Sequence, residues 1–150
     1  MSPKAMRANQ EFFDLLAGDI FARLYTFFPE PIDIHSDGIF YNDELKKQER
    51  IDDDPERLQR LYGYAVQWLA DEGNLRFEQV ANQDAGHIAF LDCVLTSKGL
   101  SALHKTPGSL ALGETLGDKI RATAKDIGSD TTKATMKKLV GAALGWIFGA

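Results

Sequence analysis

The chain has 150 residues, a length that suits one folded domain. Its composition, with 44% hydrophobic and 26% charged residues, is ordinary for a soluble globular protein. The formal net charge of −5 disfavours non-specific binding to nucleic acids. The single cysteine, Cys93, cannot form an internal disulfide, and neither a secretory leader nor an apolar run of about 20 residues is evident. These features predict a cytoplasmic protein with no transmembrane span.

A long amphipathic helix is the first predicted element. Over residues 9–28, apolar side chains recur at every third or fourth position, the spacing of a helix that buries one face. Asn9 is predicted to cap its start, because an asparagine side chain can accept a hydrogen bond from a first-turn amide. Pro29 and Pro31 are predicted to end it, because a proline ring interrupts helical hydrogen bonding.

Short elements are predicted to follow this helix. Ile32 and Ile34 alternate with a polar residue, as in a short strand, and Asp37-Gly38 is typical of a turn. Residues 42–50 begin with an asparagine and two acidic residues, a pattern that favours a short surface helix.

The most informative stretch is residues 54–103. A helix is predicted to start at Asp54-Pro55, because aspartate caps first-turn amides and proline is tolerated at the first helical position. Apolar residues at helical spacing follow, and Gly73 is predicted to end the helix in a left-handed conformation. A strand beginning at Leu75 and a turn at residues 84–86 then lead to a second strand.

The second strand, residues 87–95, is apolar at nearly every position and is predicted to be buried on both faces. Asp92 is the exception, and an ionised carboxylate buried there would need a partner, for which an arginine is expected. Cys93 lies in the same strand and is interpreted as a buried structural thiol. Thr96 is predicted to cap the next helix.

Two further helices are predicted at the carboxyl end. Ser109 is expected to cap the first, which Gly128 closes, and the second is expected over residues 131–148. The second carries an apolar stripe and three glycines at every fourth residue, a spacing that permits close packing of helices. The candidate docking or oligomer surface consists of Met136, Val140, Gly141, Leu144, Gly145, Ile147, Phe148 and Gly149.

Two motifs resemble those of the winged-helix superfamily. They are the acidic-glycine turn in WLADEGNLRF, residues 68–77, and the threonine-x-x-glycine step in LTSKGLSAL, residues 95–103. The resemblance covers about residues 9–105. It implies that residues 55–72 form the recognition helix and that residues 81–87 form the tip of a two-stranded wing.

The fold predicted from this resemblance is α+β and mostly helical. It consists of a winged-helix-like domain over residues 1–108, with a small antiparallel β-wing. Additional C-terminal helices over residues 109–150 are expected to pack on that domain or in a dimer.

Charge argues against DNA binding by the implied recognition helix. Winged-helix regulators usually place this helix in the major groove and neutralise phosphates with basic side chains. Here the wing tip contains no lysine or arginine. Acidic residues surround the start of the helix: Asp52, Asp53, Asp54 and Glu56. The candidate nucleic-acid contacts, which are the basic residues between positions 51 and 87, are Arg57, Arg60 and Arg76.

No residue pattern indicates catalysis. The sequence contains no phosphate-binding loop, nucleophile elbow or other catalytic signature. Asp33, His35 and Asp37 have the chemistry of metal ligands, but no spaced second cluster accompanies them, so they are interpreted as a polar loop. We expect no catalytic residues, no metal ligands and no cofactor.

Together these observations predict a cytoplasmic, non-enzymatic winged-helix-like module for protein interaction or regulation. Its C-terminal helix is expected to dock on the chain's own core, to bind a partner protein or to form a homodimer. Two alternatives remain. One is a DNA-binding transcriptional regulator. The other is a peripheral membrane-associated protein, whose C-terminal helix would lie on an anionic surface beside Lys133, Lys137 and Lys138.

Overall fold

The computed structural model describes residues 3–41, 55–82, 86–106, 113–125 and 130–146. In chain order they form helix α1 (Pro3–Phe27), strand β1 (Ile32–His35), a 3-10 helix (Ser36–Tyr41), helix α2 (Pro55–Asp71), strands β2 (Leu75–Arg76), β3 (Gln79–Asn82) and β4 (Ile88–Leu95), and helices α3 (Ser97–Leu103), α4 (Leu116–Ala124) and α5 (Asp130–Leu144). The fold is α+β and mostly helical with a small antiparallel sheet, as predicted. The surface helix predicted over residues 42–50 and the acidic residues at 52–54 lie outside the described residues.

Helix α1 runs through the core. It packs against α2, α4 and α5, and its buried side chains include Leu16, Ile20 and Phe21. The helix begins at Pro3, so the prediction that Asn9 caps it is wrong. Proline is favoured at the start of a helix, and the chain is therefore already helical when it reaches Asn9. The helix ends at Phe27, just before the prolines that were expected to stop it.

Strand β4 is the central strand and pairs antiparallel with β1, β2 and β3. On β1, Ile32 pairs with Cys93 and Ile34 pairs with Phe90, so β4 has one more residue than β1 in this interval. This extra residue forms a β-bulge, which bends the strand and redirects a side chain.

The bulge explains why the prediction for Asp92 is wrong. Asp92 has a left-handed φ of 57°, and its side chain is exposed. Its backbone N–H donates to Asp33 Oδ1 at 3.0 Å, and no arginine among the described residues forms an ion pair with it. The rest of the strand is buried on both faces, as predicted, since the consecutive residues Cys93, Val94 and Leu95 are all buried. At Asp92 the bulge turns the carboxylate into water, where it needs no protein partner.

Two predicted helix boundaries are confirmed and join α2 to α3. Gly73 has a φ of 82° after the end of α2, which is the left-handed stop that was expected. Thr96 caps α3: its Oγ1 accepts from the Gly99 N–H at 3.1 Å and donates to the Gly73 carbonyl at 2.5 Å. One hydroxyl therefore links the end of one helix to the start of the next. The single strand predicted from Leu75 is instead two short strands, β2 and β3.

Helix α4 starts later than predicted. Thr115 caps it, with Thr115 Oγ1 accepting from the Asp118 N–H at 3.1 Å and the Thr115 N–H donating to Asp118 Oδ2 at 3.2 Å. The predicted cap, Ser109, and the predicted end, Gly128, lie outside the described residues. The reciprocal pair satisfies two free amides of the first turn, which a lone serine cannot do.

Helix α5 packs its apolar stripe into the core of the same chain. Met136 and Val140 are fully buried, and Gly141 is also buried. A Cβ atom on Gly18 of α1 would overlap the sulfur of Met136, so Gly18 permits the Met136 side chain to approach α1 closely. Leu144 is only half-buried at the end of the helix.

The predicted extension of α5 to residue 148 is wrong. The helix ends at Leu144, and Gly145 has a left-handed φ of 78°, which stops the helix instead of lining one of its faces. Ile147, Phe148 and Gly149, also assigned to this surface, lie outside the described residues. Within the part of the chain that is described, no helix combines the length and apolar character needed to cross a membrane.

A buried polar network joins α1 to α2. The hydroxyl of Tyr62 donates to Asp19 Oδ2 at 3.0 Å, and Arg23 Nε donates to the same oxygen at 3.0 Å. Tyr62 is fully buried, and burial, with the nearby Asp19 carboxylate, raises the pKa of its phenol well above the usual value. The phenol is therefore a neutral donor to a carboxylate that is also ion-paired.

Replacing Tyr62 with phenylalanine is expected to lower the free energy of unfolding by about 1–2 kcal/mol, because the buried Asp19 carboxylate loses one of its donors. Urea denaturation followed by circular dichroism measures this change. Tyr64→Phe is the matched control. Its side chain is 65% exposed, so its effect should stay within about 0.5 kcal/mol. Equal effects of the two substitutions would contradict a stabilising role for the Tyr62 hydroxyl.

Candidate functional site

A cleft of about 610 Å³ lies between α1, α2 and the end of α5. Helix α2 contributes Leu61, Tyr64, Ala65 and Trp68, whose spacing of three and four residues places them on one face. Two helices thus form facing walls, with the end of α5 at one side. The remaining lining residues are Asn9, Gln10, Phe12, Phe13, Asp14, Leu16, Lys137 and Trp146.

Three aromatic rings form a cluster at one side of this aromatic cleft. Phe13 packs edge-on against Trp68 with ring centroids 5.3 Å apart, and Trp146 lies 5.7 Å from Trp68 and 6.1 Å from Phe13. Tyr64 is 65% exposed and Trp146 is 48% exposed. Ring packing thus holds Trp146 in position while about half of its surface stays accessible to a ligand.

Asp14 is the acidic residue of the aromatic cleft. It is buried to 5% exposure, and burial raises the pKa of its carboxyl from 3.8 to about 6; Lys137 opposes this shift, and Glu11 adds to it. Near neutral pH the ionised carboxylate is therefore held in surroundings that disfavour its charge. The charged residues lining the cleft are Asp14 and Lys137, which leave no net charge when both are ionised.

The candidate nucleic-acid contacts are not accompanied by an excess of exposed positive charge on α2. Arg57 is half-buried, whereas Arg60 and, on β2, Arg76 are exposed. The exposed charged residues of α2 are Glu56, Arg60 and Asp71, which are two acids and one base. The exposed side of this helix is thus not suited to neutralising phosphates.

A second polar group lies at the edge of the sheet. Nδ1 of His35, at the end of β1, lies 3.0 Å from Nε2 of His87, which precedes β4. The same His87 nitrogen lies 3.6 Å from Oδ1 of Asp37 in the 3-10 helix. Among the described residues, these three can each direct one ligand atom to within 4.8 Å of the other two. We call them the His35–Asp37–His87 cluster.

The sequence indicates only part of this cluster. Asp33, His35 and Asp37 are predicted to form a polar loop, because no second group of ligands follows them at a suitable spacing. In the structure Asp33 accepts from the backbone of Asp92 instead, and His87, which is 52 positions from His35, completes the group. Only the antiparallel pairing of β1 with β4 brings the two histidines together.

Cys93 and His104 do not belong to either site. Cys93 is fully buried, and burial raises the pKa of its thiol to about 12, so the reactive thiolate is suppressed. His104 is exposed at the end of α3 and packs edge-on against Tyr25, with ring centroids 5.8 Å apart. Neither residue is therefore a candidate ligand.

In comparisons with known proteins, no family model, no curated protein and no solved structure matches this chain.

Proposed function

We propose that the chain is a cytoplasmic, non-enzymatic interaction module of winged-helix-like architecture, and that its aromatic cleft binds an apolar segment of a partner protein. The observation that carries this proposal is the open, aromatic-lined cleft between two helices. Its α2 wall presents Leu61, Tyr64, Ala65 and Trp68, an arrangement of the kind that receives an amphipathic helix.

The composition of the cleft supports a protein partner. The centres of protein interfaces are rich in aromatic residues and poor in charges. The cleft has five aromatic residues among its lining, namely Phe12, Phe13, Tyr64, Trp68 and Trp146, with two opposite charges and two amides. Partner residues with large apolar side chains would displace water from these rings, and the exposed amide of Gln10 is placed to satisfy polar groups at the rim.

The winged-helix-like part of the proposal rests on local agreement with the motifs. An acidic-glycine turn at Asp71–Gly73 follows α2, β3 and β4 pair antiparallel as a wing would, and Thr96 starts a helix in which Gly99 is buried. These features support the architecture. They do not depend on DNA as the ligand, because fold and function are separable.

The structure favours a separate partner protein over a homodimer formed through the C-terminal stripe. Met136 and Val140, which would supply such an interface, are fully buried in the chain's own core. The same burial removes the apolar face that a membrane-surface helix would need. The end of α5 instead contributes Trp146 to the aromatic cleft.

Selection of random peptides displayed on phage, followed by fluorescence titration, tests this proposal. Trp68 and Trp146 are the two tryptophans of the chain, and both line the cleft, so intrinsic fluorescence reports directly on its occupancy. We expect selected peptides to carry large apolar residues at spacings of three or four. Trp68→Ala and Tyr64→Glu should each weaken their binding about tenfold or more, the loss typical of an interface hot spot.

Phe27→Ser is the matched control, because Phe27 is 50% exposed and lies outside the cleft. It should leave the affinity for the selected peptides unchanged. Peptides whose binding is insensitive to Tyr64→Glu would contradict the proposed site. An anisotropy titration against mixed duplex DNA completes the test, since tight binding that weakens steeply with salt would favour the transcriptional regulator instead.

A further inference from the structure

We propose that the His35–Asp37–His87 cluster binds a divalent transition-metal ion of the Zn²⁺ type, independently of the aromatic cleft. Imidazole nitrogens are favoured by zinc and its neighbours in the first transition row, and a carboxylate is a common third ligand. Two nitrogens and one carboxylate oxygen are also a poor match for Ca²⁺ or Mg²⁺, which prefer ligand sets made of oxygen.

The distances fit a shared ion. With metal–ligand bonds of about 2.0–2.1 Å, two ligand atoms of a tetrahedral site lie about 3.3 Å apart. The separations from His87 Nε2 are 3.0 Å to His35 Nδ1 and 3.6 Å to Asp37 Oδ1, which lie on either side of that value. The third separation lies within 4.8 Å, so small side-chain rotations would complete the triangle.

The backbone holds the three ligands in place. His35 pairs with Ala89 in the ladder between β1 and β4, which fixes the strand ends that carry both histidines. Ser36, between His35 and Asp37, is fully buried, and its Oγ accepts from the Ile88 N–H at 2.7 Å and donates to Gln59 at 3.0 Å. The positions beside all three ligands are therefore tied together, which lowers the entropic cost of assembling a metal site.

Charge and access are also suitable. The neighbouring Arg23, which interacts electrostatically with Asp37, is already paired with Asp19 at 3.0 Å. The side chains of His87 and Asp37 are 21% and 30% exposed, so solvent and an ion can reach the cluster. With three protein ligands, the fourth position of a tetrahedral ion would be occupied by water or another small ligand.

The alternative explanation is a direct hydrogen bond between the two imidazoles, in which one ring donates and the other accepts. That arrangement needs no ion, and it uses the same nitrogen lone pair that a metal would occupy. Adding a metal therefore distinguishes the two explanations, because histidines that serve only as a hydrogen-bonded pair would not bind the ion.

The test is a titration of tag-free, chelator-treated protein with ZnCl₂ by calorimetry and with CoCl₂ by visible absorption. We expect one ion per chain, a Co²⁺ spectrum indicating nitrogen and oxygen coordination, and a higher melting temperature in the presence of Zn²⁺. His35→Ala and His87→Ala should each weaken Zn²⁺ binding by about tenfold or more. Millimolar MgCl₂ or CaCl₂ should not compete.

His104→Ala is the matched control, because it removes the third histidine of the chain without touching the cluster. It should leave Zn²⁺ affinity unchanged. If His87→Ala fails to fold by circular dichroism, His87→Gln, which keeps a hydrogen-bonding side chain, replaces it in the titration. The proposal is overturned if the wild-type protein does not bind Zn²⁺, if binding survives the loss of either cluster histidine, or if His104→Ala weakens it equally.

Discussion

Replacing Gly99 with alanine is expected to lower the free energy of unfolding by about 3 kcal/mol or more, the upper end of what overpacking costs. Gly99 is buried in the first turns of α3, and an added Cβ would overlap the carbonyl oxygen of Asn74. That oxygen also accepts the Thr96 N–H at 3.2 Å, so it belongs to a turn with its own hydrogen bonds. Backbone cannot rotate out of the way as a long side chain can.

Chemical denaturation of Gly99→Ala beside Ser101→Ala measures this effect. Ser101 lies in the same short helix but is exposed, so its replacement should change the free energy of unfolding by no more than about 0.5 kcal/mol. A loss below about 1 kcal/mol in Gly99→Ala would mean that α3 can move away from the turn. The outcome therefore tests whether the threonine-x-x-glycine step is required for packing α3 against the end of α2.

The second large effect concerns Asp14 in the aromatic cleft. Its carboxyl pKa in the folded protein is raised from 3.8 to about 6 by burial, with Lys137 opposing and Glu11 adding to the shift. Between these two values the folded state binds more protons than the unfolded state. Stability from this residue is therefore present below the unfolded pKa and is lost as the pH rises through the folded pKa.

Asp14→Asn is expected to remove this loss. Asparagine resembles the protonated acid, so the variant and the wild type should have similar free energies of unfolding near pH 4. As the pH rises to 7.5, the variant should become more stable than the wild type. A full conversion of the shift would give about 3 kcal/mol, but the cleft is open to water, and screening reduces the expected gain to about 1–2 kcal/mol. Urea denaturation at both pH values measures the difference.

Glu78→Gln is the control, because it removes a carboxylate that is exposed and lies outside the cleft. Its effect should not vary in the same way across this pH range. A pH-independent effect of Asp14→Asn would mean that the ionised carboxylate is accommodated in the folded protein without cost. A confirmed effect would show that the cleft retains an unfavourable charge, a feature more typical of binding sites than of structural cores.

The helical boundaries that could be predicted are those controlled by local chemistry. Gly73 stops α2, Thr96 caps α3, and prolines follow the end of α1, because each acts on backbone groups within a few residues of itself. Predictions failed where another local signal was stronger. The Thr115–Asp118 capping box starts α4, and Gly145 ends α5 before the apolar pattern of the sequence ends.

The candidate sites were less predictable than the helices. Tyr64 continues the helical pattern of Leu61 and Trp68, and nothing in that pattern distinguishes an exposed position from a buried one. Asp92 was expected inside a buried strand, but a one-residue bulge reverses its direction. The bulge depends on the register between β1 and β4, which hydrophobic alternation alone does not specify at the level of one residue.

By itself, the sequence determined the mostly helical α+β class, the ends of several helices and the acidic character that argues against DNA, because these depend on composition and on contacts within one turn. Only the tertiary structure decided that α5 buries Met136 and Val140 in the core, that Trp146 joins Trp68 at the aromatic cleft and that His87 meets His35. Each of these contacts joins residues far apart in the chain. These contacts depend on packing and strand register across the whole fold, so local sequence patterns do not predict them.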